Sequence, residues 1–177
     1  SMLDDGIAYI ALAEFNSLAT RRMREALREL LSKNPKGLIL DIRNNPGGFL
    51  SAAVEITSEF VGDGLILKER GKNGAVTPHE ARRGGLALKT PLVVLINKGS
   101  ASASEILAGA VQDHKRGALI GETTFGKGSV QLAHTLSDSS SLRVTVRHWE
   151  TPGGKDIHGA GIQPDIEVAQ SEAERKA

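Results

Sequence analysis

The chain has 177 residues, 40% of them hydrophobic and 24% charged, with a formal net charge of +1 and no cysteine. That length suits one domain with a sizeable core, and the near-zero charge offers no basic field for nucleic acid or an anionic membrane surface. The absence of cysteine excludes disulfides, zinc–thiolate sites and a cysteine nucleophile while leaving the compartment open, and no apolar run approaches the roughly 20 residues of a membrane span.

In chain order, "GIAYIALAEF" (6–15) alternates apolar and small residues and predicts a strand, and "SLATRRMREALRELLSKN" (17–34) has the apolar spacing of a helix. Pro35 and Gly37 end that helix, and "GLILDIR" (37–43) is a short apolar run of the kind buried on both faces of a sheet, followed by the loop "NNPGG". Helical spacing returns over 49–61, and 64–70 predicts another strand. The polar, glycine-rich stretch 72–85 reads as an exposed hairpin or flap. "PLVVLINKG" (91–99) is again a buried-strand run, and 100–116 predicts a helix after a turn of small residues. Residues 117–122 predict a strand, and 129–136 and 141–150 predict two strands about the turn "SDSS". The stretch 153–168 reads as a loop with a last short strand, and 169–177 as a frayed tail. Strand followed by helix, repeated, predicts a single α/β domain over 1–168 whose functional groups sit in loops after strands.

"GETTFGKG" (121–128) begins like a phosphate-binding loop, with four residues between Gly121 and Gly126 and then Lys127. The match fails on two counts. Gly128 stands where Ser or Thr should reach magnesium, and strand periodicity follows where a helix should present its amides. Lys127 is then either a solvated lysine in a glycine turn or a lysine whose flanking glycines let two backbones approach closely.

The turn "KGSASASE" after the 91–99 strand offers Ser100, Ser102 and Ser104 as nucleophiles near free amides at a helix start. Ser102 with Glu105 also fits an S-x-x-E capping box, a purely structural role. A serine nucleophile needs a base, and none of the five histidines lies in a nucleophile-elbow or metal-binding motif. A neutral lysine can replace histidine, and Gln131 could hold its amine by a hydrogen bond without adding charge. In "DIRNNPGG" (41–48), Gly47 or Gly48 could turn an amide toward a developing oxyanion, while Asp41 and Arg43 read as a structural pair.

Taken together, "LDIRNNPGG", "VVLINKGSASASEILAGAVQD", "LIGETTFGKGSVQ" and "RHWETPGGKDIHGAGIQPDIEV" resemble the C-terminal processing peptidases, or tail-specific proteases, in order across nearly the whole chain. The resemblance implies an α/β fold related to the ClpP and crotonase spiral of β-β-α units, and a serine endopeptidase with a Ser–Lys dyad that works through an acyl-enzyme near protein C-termini. Carried over by motif, Ser102 is the nucleophile, Lys127 the base, with its flanking glycines letting it approach Ser102 across the fold, and Gln131 its orienting partner. The amides of Ala103 and Gly48 would form the oxyanion hole, and Ser100 and Ser104 would pack or cap. No metal or organic cofactor is implied. The expected partners are protein or peptide substrate C-termini, a PDZ domain elsewhere in the full-length chain, and a second copy in a homo-oligomer, with no nucleic acid. The Ser1-Met2 opening reads as a cloning remnant before an internal start, leaving the PDZ domain and any targeting segment upstream. By the same resemblance the setting would be the periplasm or cell envelope. The rival from another class is a non-catalytic ligand- or peptide-binding module on the same fold.

Overall fold

The computed structural model describes residues 1–169, with Leu132 and Ala133 described by backbone alone. All but the first residue of the tail read at 169–177 lies outside the described residues.

Five strands form a parallel sheet: β1 (Ile7–Ala11), β2 (Gly37–Asp41), β5 (Leu92–Ile96), β6 (Ala118–Gly121) and β9 (Ile166–Glu167), in the spatial order β1-β2-β5-β6-β9. Parallel neighbours need crossovers. Three helices lie in the crossovers of the first three pairs: α1 (Ala19–Leu31), α2 (Leu50–Thr57) and α3 (Ala103–Asp113). Two antiparallel hairpins, β3 (Leu65–Gly71) with β4 (Val76–Glu80) and β7 (Ser129–Thr135) with β8 (Ser141–Glu150), join through β3 and β8 into a second sheet ordered β4-β3-β8-β7. The flap read at 72–85 is therefore the β3–β4 hairpin and the loop after it.

The central strands are apolar because they are covered on both faces. In β2 only Ile39 is more than marginally exposed, and Leu38, Leu40, Val94, Ile96 and Leu119 are all buried. α1 buries Met23, Leu27 and Leu30, spaced by four and three residues, and keeps its arginines outward; each such burial is worth about 2 kcal/mol. α3 differs: every residue from Ala103 to Val111 is buried. It packs against α2, β3 and β6, so it lies between the two sheets, and small residues such as Ala108, Gly109 and Ala110 let them come close.

One element is shorter than its pattern. The strand expected over 6–15 ends at Ala11, and Phe15 instead forms an isolated bridge with Gly48. The cause is the "NNPGG" loop: Leu12 donates its amide to the Asp41 carbonyl at 2.9 Å, and its own carbonyl accepts the Asn45 side-chain amide at 2.6 Å. That pull turns residues 12–18 over the end of β2.

Candidate active site

The loops that follow β2, β5 and β6 leave the C-terminal ends of three adjacent parallel strands, the edge where open α/β sheets place their ligands. Buried polar side chains bind these loops together. Ser100 donates its hydroxyl to the Ile42 carbonyl at 2.8 Å, Ser104 donates to the Asn45 carbonyl at 2.9 Å, and the Asn97 carboxamide donates to Asn44 Oδ1 at 2.9 Å. Ser100 and Ser104 are completely buried, which fits the packing role expected for them and removes both as nucleophiles.

Ser102 stands apart from its two neighbours. It has φ 55° and ψ −113°, a conformation that a residue with a side chain rarely adopts and that costs of order 1–3 kcal/mol. It is only partly buried and lines a cavity of about 690 Å³ with Gly48, Ala103, Lys127 and Gln131. All five residues singled out by the motifs thus face one space. Phe49, Leu50, Ile106, Val130, Val146 and Trp149 give it apolar walls, and Glu69, Arg143 and Arg147 supply charge.

The capping box and the site use the same residues. Glu105, fully buried at the third position of α3, accepts the Ser102 amide on Oε2 at 2.8 Å. The same oxygen accepts the Lys127 amide at 2.8 Å, while Oε1 accepts the Thr124 hydroxyl and the Gly126 amide, each at 2.6 Å. Four donors on one carboxylate use its full accepting capacity. The backbone nitrogens of Ser102 and Lys127 are therefore never more than two hydrogen-bond lengths apart. Trp149 holds the other end of the Lys127 residue: its indole N–H donates to the Lys127 carbonyl at 3.1 Å.

The amides of Gly48 and Ala103 have no acceptor among the described residues, and Ala103 is the first residue of α3, where no intrahelical partner exists. The Gly47 amide is already given to Asn45 Oδ1 at 2.9 Å, which leaves Gly48 as the free donor of the pair. Gly47 has another task. A Cβ on it would meet the Ala101 carbonyl oxygen at 2.7 Å and Ser102 Cβ at 2.8 Å, so only glycine lets this loop lie against the serine.

The glycines beside Lys127 act differently from the expectation. A Cβ on Gly126 or Gly128 would press on residues 158–161, at 3.0 Å from the Gly161 amide nitrogen and from His158 respectively. They pack the lysine loop onto the following segment rather than onto Ser102. What brings Lys127 to Ser102 is Glu105. Gln131 lies in the same cavity wall, with its carboxamide donating to the Thr145 hydroxyl at 3.4 Å. No histidine lines the cavity: His79 hydrogen-bonds Glu69 at 2.8 Å and His114 the Leu65 carbonyl at 2.7 Å, while His148 and His158 stack edge-on. The residues after Gly128 form β7, so no helix N-terminus faces the loop that began as a phosphate-binding candidate.

Asp41 and Arg43 are structural, as the sequence suggested. The Asp41 carboxylate takes the Arg43 guanidinium at 2.6 Å and the Tyr9 hydroxyl at 2.8 Å. Burial pushes the Asp41 carboxyl up, but the Arg43 and Tyr9 hydrogen bonds outweigh it and hold it below the usual aspartate range. Sequence reasoning missed Thr124, Trp149 and the wider role of Glu105. Only Glu105 had a signal, the S-x-x-E spacing, and that spacing reports a cap and not a second loop.

The peptidase family S41 model matches residues 6–168. The chain belongs to peptidase family S41. It is 43% identical over 173 residues to a carboxy-terminal-processing protease of Bartonella bacilliformis, covering 95% of this chain and 40% of that protein. A carboxyl-terminal-processing protease of a Synechocystis strain is also 43% identical, over 96% of this chain and 41% of its own length. Among solved structures, a photosystem II D1 C-terminal processing protease superposes with a TM-score of 0.86 at 40% identity, over 96% of this chain and 45% of that one. The S41 chain thus spans about a third to two fifths of the length of the curated relatives it matches, and its own mixed α/β domain has the fold of the family.

Proposed function

We propose that the protein is a serine endopeptidase of the C-terminal processing type. The observation that carries this reading is the single cavity lined by Ser102, Lys127, Gln131, Gly48 and Ala103, with Glu105 tying the serine and lysine backbones together. Ser102 gives its hydroxyl proton to the amine of Lys127 as its oxygen attacks the substrate carbonyl carbon. The resulting oxyanion takes hydrogen bonds from the Ala103 and Gly48 amides, which have no other acceptor among the described residues. The Lys127 ammonium then protonates the departing amine as the C–N bond breaks. Water, deprotonated by Lys127, hydrolyses the acyl-Ser102 ester. Gln131 steadies the amine from the same wall without adding a charge.

The substrate we propose is an extended polypeptide segment near a protein C-terminus, delivered by a PDZ domain elsewhere in the full-length protein. The setting we propose is the periplasm or cell envelope, on the resemblance to relatives that work outside the cytoplasm. The deciding experiment places Ser102→Ala and Lys127→Ala separately in the full-length chain and assays an unfolded protein substrate by mass spectrometry. Both variants are expected to lose cleavage, and full cleavage by either would sink the dyad.

A further inference from the structure

The cavity holds more positive charge than the proposed chemistry uses. Its charged lining residues are Lys127, Arg143, Arg147 and Glu69. The single carboxylate is already committed: Glu69 Oε2 is 2.8 Å from His79 Nε2 and 3.5 Å from Arg147, whose guanidinium also donates to the Thr77 hydroxyl at 3.1 Å. Arg147 is thus held and largely neutralised against β3 and β4. Arg143 is not. Its side chain takes part in no ion pair and no hydrogen bond among the described residues, although it forms part of the same wall.

Its place in the fold gives this charge a distance from the chemistry. Arg143 and Trp149 lie on one strand, β8, and Trp149 holds the Lys127 carbonyl. Six residues of antiparallel strand span about 20 Å, less a little for the bulge where Val130 and Gln131 oppose Arg147 and Thr145. An extended peptide passing Ser102 covers the same length in about six residues, and the reach of an arginine side chain shortens that to four or five. Between those points the wall carries Val146, Val130 and Ile106 beside Gln131 and the already paired Arg147. The anionic groups of an unmodified polypeptide are the carboxylates of its acidic side chains and of its C-terminus. A planar guanidinium suits a carboxylate, which it can hold through two parallel N–H···O bonds.

We infer that Arg143 forms a carboxylate subsite about four to six residues from the scissile bond, selecting substrates that carry an Asp or Glu side chain, or their own α-carboxylate, at that distance. The inference rests on the peptidase reading for the identity of the ligand as a peptide, and its test is built to fail separately. Fluorescent peptides with an amidated C-terminus are prepared in pairs with Asp or Asn, scanned four to six residues to either side of a cleavable bond. A second series lacks acidic side chains and places a free α-carboxylate, or its amide, at the same distances. Binding to the full-length Ser102→Ala protein is measured by anisotropy, and turnover is measured separately with the active protein.

At one position or more, the acid is expected to bind about tenfold more tightly than its amide partner, a preference that weakens with added salt. In the Ser102→Ala, Arg143→Gln double variant the ratio falls to about one. In Ser102→Ala, Arg143→Glu it inverts, and a Lys-bearing peptide gains instead. Preference in the first series assigns the subsite to side chains, and preference in the second assigns it to the C-terminus. No acid-over-amide preference at any position, or a preference unchanged by Arg143→Gln, overturns the subsite. Binding that follows this pattern without any turnover in the active protein would instead count against the peptidase reading alone.

Discussion

Glu105 accepts the backbone amide of Lys127 at 2.8 Å, through the carboxylate oxygen that also accepts the amide of Ser102. One buried carboxylate thereby fixes the position of both proposed dyad residues without touching either reacting atom. Its second oxygen extends the hold to Thr124 and Gly126.

Glu105→Gln is the sharpest probe of this arrangement. The side chain keeps its size, but one of its two acceptor atoms becomes a donor facing donors. Leaving buried donors unmet costs about 1–3 kcal/mol each, so we expect stability to fall by about 3 kcal/mol in urea titration. We also expect kcat to fall about 100-fold with KM changed much less. Activity within twofold of the parent would show that Glu105 does not position the dyad.

The backbone of Ser102 sets stability against activity. At φ 55° and ψ −113° glycine is more at ease than serine. Ser102→Gly is expected to raise the unfolding free energy by about 1 kcal/mol while abolishing cleavage. Ser100→Ala is expected to do the reverse: it loses buried hydrogen bonds to Ile42 and Asn97, so stability falls by about 1 kcal/mol while the folded fraction stays active. If Ser102→Gly proved as destabilising as Ser100→Ala, the strain at position 102 would be refuted.

A methyl group separates the demands on two glycines. At Gly47, with φ 101°, a Cβ would meet the Ala101 carbonyl oxygen, the Ala103 nitrogen and Ser102 Cβ at 2.7–2.8 Å, all atoms that cannot swing aside. At Gly74, with φ 75°, a Cβ would meet nothing within 4 Å. Gly74→Ala should cost only the left-handed backbone penalty of about 1 kcal/mol and leave cleavage intact. Gly47→Ala should cost at least about 2 kcal/mol and remove most activity. Equal effects of the two substitutions on cleavage would show that the 45–48 loop need not lie against Ser102.

Acid stability should depend on Asp41. Its carboxyl is held below the usual aspartate range, so as the pH falls the unfolded chain takes up the proton first. The Asp41 contribution is therefore complete above the unfolded value of about 3.9 and is lost as the pH drops through the lower folded value. The stability gap between the parent and Asp41→Asn, measured by urea denaturation, is expected to be largest near neutrality and to close as the pH is lowered below about 4. A gap that stays constant across that range would mean that the Tyr9–Asp41–Arg43 cluster contributes nothing through the Asp41 charge.

The sequence by itself singled out the candidate chemical residues. The apolar runs at 37–43 and 91–99 marked central strands, because a strand covered on both faces has no polar face to show. Gly128, where a phosphate loop needs Ser or Thr, and the strand period after it removed the nucleotide reading. Local spacing also placed Ser102 at a helix start, since a capping box is a property of four consecutive residues. Tertiary structure alone decided how these pieces meet. Glu105 reaches Lys127 across 22 positions, and Trp149 reaches it from the opposite direction across another 22. Hydrogen bonds of that span leave no period in the chain. The glycines at 126 and 128 showed that a backbone would come close to another segment, yet only the folded packing identified that segment as 158–161 and not Ser102. Arg143 reads in the sequence as one more outward arginine on an alternating strand. Its meaning comes from the cavity it lines, whose carboxylate, Glu69, is already taken by His79 and Arg147.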